Sequence, residues 1–352
     1  MTPVVRFDNV SIVFGDQPKA ALPLIDRGAT REEIAAQTGQ ILGVADCTLD
    51  VHEGEIVVLM GLSGSGKSTL LRAANGLNPV VRGRTFVSMG ENAPGRTDDY
   101  EDPATASRRR LRRLRQKRVA MVFQQFGLLP WRTVRQNAGL GLELAGVGKA
   151  ERARRVDEQL ALVGLSDRAD SLVGELSGGM QQRVGLARAF ATQAPILLMD
   201  EPFSALDPLI RDKLQDDLLM LQERLRKTIL FVSHDFDEAV KLGNRIALME
   251  GGRIVQCGTA AEIVTRPATD YVREFVAHMN PLTALSAGDL ARPSSDASPV
   301  ASMTVAATAP LREVLPVLHE AGGPVAVVRD GSLIGSVAMA DVVEALRPKP
   351  SD

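Results

Sequence analysis

Apolar residues in this chain fall into short unbroken runs and longer periodic stretches. The runs Ile56-Val57-Val58-Leu59-Met60, Val119 to Phe123, Pro195-Ile196-Leu197-Leu198-Met199 and Phe231-Val232 predict buried strands. Leu70-Leu71-Arg72-Ala73-Ala74 and Val184 to Thr192 predict helices, and the alternation gives an α/β fold class. Val4 to Val13 and Leu49 to Val51 suit antiparallel strands at the edge of that fold. Between them, in the stretch Gln17 to Gly43, Thr30-Arg31-Glu32-Glu33 forms a capping box and Gly39 a stop, which predicts a short helix. Leu22, Leu24, Ile25 and Ile34 are its candidates for packing onto the body.

Beyond Pro281 the pattern changes. Residues 280–302, rich in Ala, Ser, Pro and Asp, suit a flexible linker. Order returns over 303–347. Thr308 is the expected cap of a helix over Leu311 to Glu320, ended by Gly322-Gly323. Val325 to Val328, the turn Asp330-Gly331 and Leu333 to Val337 form a hairpin, and Asp341 to Leu346 a last helix. Pro316 predicts a kink or a break in the first of these helices.

Composition narrows the picture. The chain has 352 residues, room for one large α/β domain and something smaller. Lys and Arg number 41 against 43 Asp and Glu, so overall charge does not point to nucleic acid. The dense run Arg108 to Arg118 is read as a solvated helix anchored by Leu111 and Leu114, since no aromatics interleave to stack bases. Cys47 and Cys257 are expected as buried free thiols in a reducing compartment. The sequence has no apolar run of about 18 residues and no visible signal peptide, which leads to the expectation of a cytosolic protein.

The candidate chemistry centres on Gly61-Leu62-Ser63-Gly64-Ser65-Gly66-Lys67-Ser68-Thr69, set between a strand and a helix. Glycines let the backbone amides turn inward, the helix adds its positive end, and together they make a polyphosphate cradle. Lys67 is placed to reach the β/γ-phosphates and Ser68 to ligate Mg²⁺. Alone, this motif leaves kinases, GTPases, helicases and transport ATPases open. Asp200 and Glu201, at the end of an apolar strand, add a water-mediated Mg²⁺ ligand and a general base. Leu176-Ser177-Gly178-Gly179-Met180-Gln181-Gln182-Arg183 opens a helix and is a second anion site, which one triphosphate has no obvious way to share with the first.

That pairing resembles the ATP-binding-cassette superfamily, in which the serine–glycine–glycine signature of one subunit completes the ATP site of its partner. The resemblance implies an ABC-type nucleotide-binding domain over residues 1–279, with a RecA-like core, an antiparallel β subdomain and a helical subdomain at about 125–185. It further implies that Gln124 senses Mg²⁺ and the γ-phosphate, that Asp207 in Ser204-Ala205-Leu206-Asp207 lies in the loop crossing the dimer interface, that His234 contacts the γ-phosphate, and that Phe14 stacks on adenine. Met180 departs from the glutamine usual in the superfamily. The insertion 17–43, the spelling Met-Gly-Leu-Ser-Gly-Ser-Gly-Lys and the run Phe203 to Arg211 are similar to a narrower group, the ATPases of quaternary-amine importers for choline, glycine betaine or proline betaine. Membership implies a homodimer with ATP and Mg²⁺, integral-membrane permease subunits, an extracytoplasmic substrate-binding protein and a peripheral place on the cytoplasmic membrane face. The apolar residues that closely follow Gln124, namely Phe126, Leu128, Leu129, Trp131 and Val134, are expected to form a permease-facing surface that γ-phosphate contact moves as a unit, with the core of the helical subdomain as the alternative place for them. Another importer class, or a cassette ATPase acting on nucleic acid, is the alternative, although the chain has neither coiled-coil heptads nor a CxxC between the two motifs. The C-terminal β-α-β-β-α order is similar to a single cystathionine-β-synthase (CBS) motif. At this size it is expected to bury little core alone.

Overall fold

A computed structural model of the protein describes residues 3–90, 99–277, 280–292 and 303–346. The chain divides into two compact units, residues 1–234 with 249–254, and residues 235–248 with 255–352.

The first unit holds two sheets. Strands β1 (Pro3–Phe14), β2 (Ile41–His52), β4 (Arg82–Ser88) and β5 (Tyr100–Glu101) form an antiparallel sheet in the order β2-β1-β4-β5, whereas β3 (Ile56–Met60) belongs to the other. Among the described residues the second sheet has six strands, and four of them, β3, β6 (Val119–Val122), β7 (Ile196–Asp200) and β8 (Thr228–Val232), lie in the order β3-β8-β7-β6 with each of these neighbours parallel. All residues of β3, β7 and β8 are buried, as unbroken apolar runs covered on both faces must be. β2 is longer than the predicted Leu49 to Val51. Gly43, Asp46 and Thr48 interrupt the apolar alternation there, yet the ladder to β1 runs from Val51 opposite Val5 to Ile41 opposite Phe14.

The insertion folds as expected. Thr30 Oγ1 accepts from Glu33 N at 3.2 Å, and Glu33 Oε2 accepts from Thr30 N at 2.8 Å. The helix Arg31–Thr38 ends at Gly39 in the left-handed region. Leu24, Ile25 and Ile34 share a buried cluster with Val13, Leu42 and Ala45, and Leu22 packs at its margin. A charged staple fastens the same segment. Arg82 pairs with both Asp26 and Asp46, while Arg253 bonds Asp46 Oδ2 at 2.8 Å and the Ile25 carbonyl at 3.0 Å. Burial alone would raise the Asp46 pKa, but hydrogen bonds from Arg253 and Arg82 hold it below the usual value. The helix Arg108–Lys117 is capped by Ser107 and anchored by buried Leu114, with its arginines largely exposed.

The second unit carries its own core. Strands Thr304–Ala306, Val325–Arg329 and Ser332–Val337 form a sheet, with helices Leu311–Ala321 and Met339–Leu346 beside it. Asp330 and Gly331 both have positive φ, the requirement of a tight hairpin turn. Two expectations fail here, and of the kink or break expected at Pro316 the break does not occur. Residues 280–292 are not linker: Leu285 and Ala287 are buried in the C-terminal core, Leu282 and Leu290 pack on it, and Arg292 exchanges backbone bonds with Ser336. This recruited segment is how a motif of this size acquires a core. The rest of the expected linker, 293–302, and residue 347 lie outside the described residues. Thr308 is not the cap, since the helix opens after Pro310 without a side-chain bond. Pro316 does not break the helix either: both it and Arg312, whose carbonyl loses its N–H donor, lie on the exposed face where water can replace the bond.

Cys257 is exposed, not buried as expected; Cys47 is buried and donates Sγ–H to the Gly252 carbonyl at 3.3 Å. Burial pushes the Cys47 thiol up to about 12 from an ordinary 9.0. The unfolded chain therefore loses this proton first, and the stability is fully present below pH 9 and lost as pH rises toward 12. In urea titrations over that range, Cys47→Ala is expected to flatten the alkaline decline by up to about 1.4 kcal/mol per pH unit relative to the parent. An unchanged slope would refute the linkage.

Candidate active site

Four parallel strands deliver their carboxyl ends to one edge, and each brings a predicted residue. After β3 the glycine-rich loop turns into the helix Lys67–Ala73, entered through Gly66 at φ 105°. Lys67 Nζ donates to the carbonyls of Gly61 at 2.8 Å and Leu62 at 2.9 Å. Burial lowers the Lys67 pKa, with Glu201 and Asp200 pulling the other way. At the end of β7, Asp200 is wholly buried; Ser68 Oγ donates to its Oδ1 at 2.6 Å and Arg72 Nη2 to its Oδ2 at 2.8 Å. Glu201 follows with φ 49°, a left-handed turn that swings its carboxylate off the strand axis. Gln124, just past β6, donates Nε2 to Glu201 Oε2 at 3.1 Å, and His234, two residues past β8, places Nδ1 3.6 Å from the same oxygen.

These groups border an open cleft of about 590 Å³. Phe14, Ser63, Gly64, Gly66, Lys67, Ser68, Thr69, Gln124, Glu201 and His234 line it, together with Arg31, Ile41, Leu42 and Gly43. Gly61 and Ser65 belong to the loop but stand behind it, as Asp200 stands behind Ser68. Gly43 permits the flat approach of Phe14: a Cβ there would lie 2.8 Å from the ring's Cε2 and 2.9 Å from Thr69 Cγ2. The signature residues are elsewhere. Ser177 caps the helix Gly178–Ala191, accepting from Met180 N at 3.4 Å, and Asp207 caps Pro208–Leu225, accepting from Ile210 N at 3.0 Å. Neither these caps nor Gly178 and Gly179 line the cleft.

Sequence reading missed the side chains that fix this geometry. Gln182, fully buried, donates Nε2 to the Glu201 carbonyl at 3.1 Å and accepts from Ala205 N at 3.0 Å. Its position was available from periodicity, since Gln182 shares a helix face with buried Gly185, Leu186 and Ala189. Arg188 donates to the carbonyls of Phe126 and Gly127, both at 2.7 Å, and burial lowers its pKa. Asn137, also buried, donates to the carbonyls of Leu129, Arg132 and Thr133 and accepts from Leu129 N. Of the five residues expected on a permease-facing surface, Val134 is fully buried at the start of the helix Val134–Ala138 and belongs to the core. Phe126, Leu128 and Leu129 are half-buried, and Trp131 is 72% exposed.

A phosphate loop, a buried strand-end aspartate and a following glutamate contacted by both a glutamine and a histidine define a cassette-type ATPase site. The family model for ABC transporters matches residues 44–204. ProV of Escherichia coli (strain K12), the ATP-binding protein of a glycine betaine/proline betaine transport system, is 48% identical over 288 residues, 82% of this chain and 69% of ProV. TmoW of Ruegeria pomeroyi, the ATP-binding protein of a trimethylamine N-oxide transport system, is 45% identical over 291 residues, 83% of this chain and 82% of TmoW. The dimeric post-hydrolysis structure of the ATP-binding cassette MJ0796 bound to ADP and Pi superposes with a TM-score of 0.61 at 30% identity, covering 72% of this chain and 97% of that one. The chain belongs to the ABC transporter family, among its ATP-binding ATPase subunits.

The Gln182 contacts make a direct prediction. Gln182→Leu leaves the Ala205 N–H without its acceptor and takes one of the donors from the Glu201 carbonyl, which still accepts from Ser204 Oγ at 3.1 Å; the orphaned N–H costs about 1–3 kcal/mol in denaturant unfolding. ATP turnover is expected to fall in the same variant, because Glu201 loses one of the bonds holding its left-handed backbone. Parental stability and turnover would show that the bond carries neither.

Proposed function

We propose that two copies of this chain hydrolyse ATP at a shared interface and power the import of glycine betaine or choline through separate permease subunits. The observation that carries this reading is the separation of Ser177, Gly178, Gly179 and Asp207 from the cleft that gathers the other nucleotide residues. A second chain supplies what the first lacks, and the dimeric state of MJ0796 supports that arrangement. The substrate class rests on likeness to ProV and its relatives. Trimethylamine N-oxide is a second reading, favoured by the fuller match to the length of TmoW. An extracytoplasmic binding protein makes the final choice among these methylated amines. Among the described residues no helix is long and apolar enough to cross a membrane, which suits a peripheral subunit held at the cytoplasmic face by its permease.

In this reading adenine stacks on Phe14, while the amides of residues 61–69 and the Lys67 ammonium hold the phosphates. The oxygen donors of Ser68, Gln124 and Asp200 fit Mg²⁺, a hard cation that takes few protein ligands beside substrate phosphates. These residues would hold the ion so that its charge offsets that of the phosphates. Glu201 accepts a proton from the attacking water as the bond between the γ-phosphorus and the ADP oxygen breaks. His234 and Gln124 keep the Glu201 carboxylate aimed, and the partner's signature serine closes the site.

Glu201→Gln is expected to cut hydrolysis by about a hundredfold or more while ATP still binds, so that an ATP-dependent dimer accumulates on size-exclusion chromatography. Hydrolysis at the parental rate would remove Glu201 from the role of base. Trp131, exposed on a loop that Asn137 clamps, is the residue proposed to meet the permease. With the transporter reconstituted in vesicles, Trp131→Ala is expected to reduce uptake by about tenfold or more and to spare basal ATPase. Joint loss of ATPase and folding would return Trp131 to a structural role. Uptake of labelled glycine betaine, choline and trimethylamine N-oxide in the same vesicles decides the substrate.

A further inference from the structure

Among the described residues, Arg31 is the one cation lining the cleft that the cassette motifs do not account for, and it comes from the insertion. It occupies the first turn of the helix Arg31–Thr38, where a positive charge opposes the helix dipole. Helix stability therefore gives no reason for an arginine at this position. Its guanidinium instead bridges two carbonyls of cleft residues, Nη1 donating to Gly64 O and Nη2 to Gly43 O at 2.5 Å. A cradle of glycines receives it. A Cβ on Gly66 would come within 3.2 Å of Nη2, and one on Gly252 within 3.1 Å. The insertion that bears Arg31 is itself fastened by the cluster around Ile34, by Arg82 on Asp26 and by Arg253 on the Ile25 carbonyl. The guanidinium is thus presented from a fixed base.

We propose that Arg31 is a positioning residue for the nucleotide, pinning Gly64 in the phosphate loop and Gly43 beside Phe14 so that the cleft is ordered and positively charged before ATP arrives. Gly64 lies at φ 79°, and a glycine-rich loop has more backbone freedom to lose on binding than any other segment. Holding its carbonyl from outside removes part of that loss in advance, which appears as affinity. The charge is permanent at all working pH values and adds attraction for a polyphosphate. The insertion, on this view, is part of the nucleotide site. The inference rests on the reading of this cleft as the ATP site.

The test compares the full chain with Arg31→Met, which keeps the aliphatic stem, Arg31→Lys, and Lys67→Ala as the reference for the site. Calorimetric titration with ATP, steady-state ATPase and thermal unfolding without nucleotide are read for each. Arg31→Met is expected to raise both Kd and KM for ATP by about tenfold with kcat within about twofold. Arg31→Lys is expected to recover only part of the loss, because one ammonium cannot span both carbonyls as the planar guanidinium does. If Lys67→Ala loses ATP binding while Arg31→Met and Arg31→Lys bind like the parent, the proposal fails and Arg31 only fastens the insertion. A fall in kcat at unchanged KM overturns it equally. If Lys67→Ala also binds like the parent, the cleft is not the ATP site, and that reading fails first.

Discussion

The active site depends on the register of one parallel ladder. Leu59 of β3 and Asp200 of β7 both lie opposite Val232 of β8, and Val122 of β6 lies opposite Met199. Strands spaced about 4.8 Å apart and ending level bring the phosphate loop, His234, Asp200 with Glu201, and Gln124 to the same edge. A slip of one residue in β7 would turn Asp200 to the opposite face of the sheet and away from Ser68. The unbroken burial of β3, β7 and β8 specifies the strands, and the helices covering both faces hold them level.

Placing charge at that edge has a cost that the neighbours meet. Asp200 is fully buried, and a buried carboxylate is tolerated only when paired and hydrogen-bonded. Arg72 and Ser68, one helical turn apart on the helix that begins in the phosphate loop, take one oxygen each. The tie therefore joins the loop helix to the end of β7. It works alongside Gln182, which binds the Glu201 carbonyl from the signature helix. Three sequence-distant motifs are held as one body by two polar anchor points.

What could be read from the sequence was local. The phosphate loop, the aspartate–glutamate pair, the capping box at Thr30 and the turn at Asp330-Gly331 are each complete within a few residues, and the chemistry of those residues dictates the geometry. The misses share a different cause. Arg31, Arg188 and Asn137 act on backbone carbonyls, some of them far along the chain, and a carbonyl carries no sequence signature. Val134 falls in the apolar stretch after Gln124 that is expected at a permease-facing surface, yet its side chain turns inward at the first helical position. Residues 280–292 have a linker's composition, but Leu285 and Ala287, with Leu282 and Leu290 packed beside them, hold the segment on the neighbouring core.

The loop from Gln124 to Thr133 is bound at both ends, by Arg188 on the Phe126 and Gly127 carbonyls and by Asn137 on those of Leu129, Arg132 and Thr133. Ordering a flexible segment costs roughly 1–2 kcal/mol of conformational entropy per residue. Here that entropy is lost during folding, so the permease contact proposed at Trp131 would not have to freeze the loop. Association at such a pre-ordered surface would be governed by diffusion and shape, fast and repeatable in every round of a working cycle.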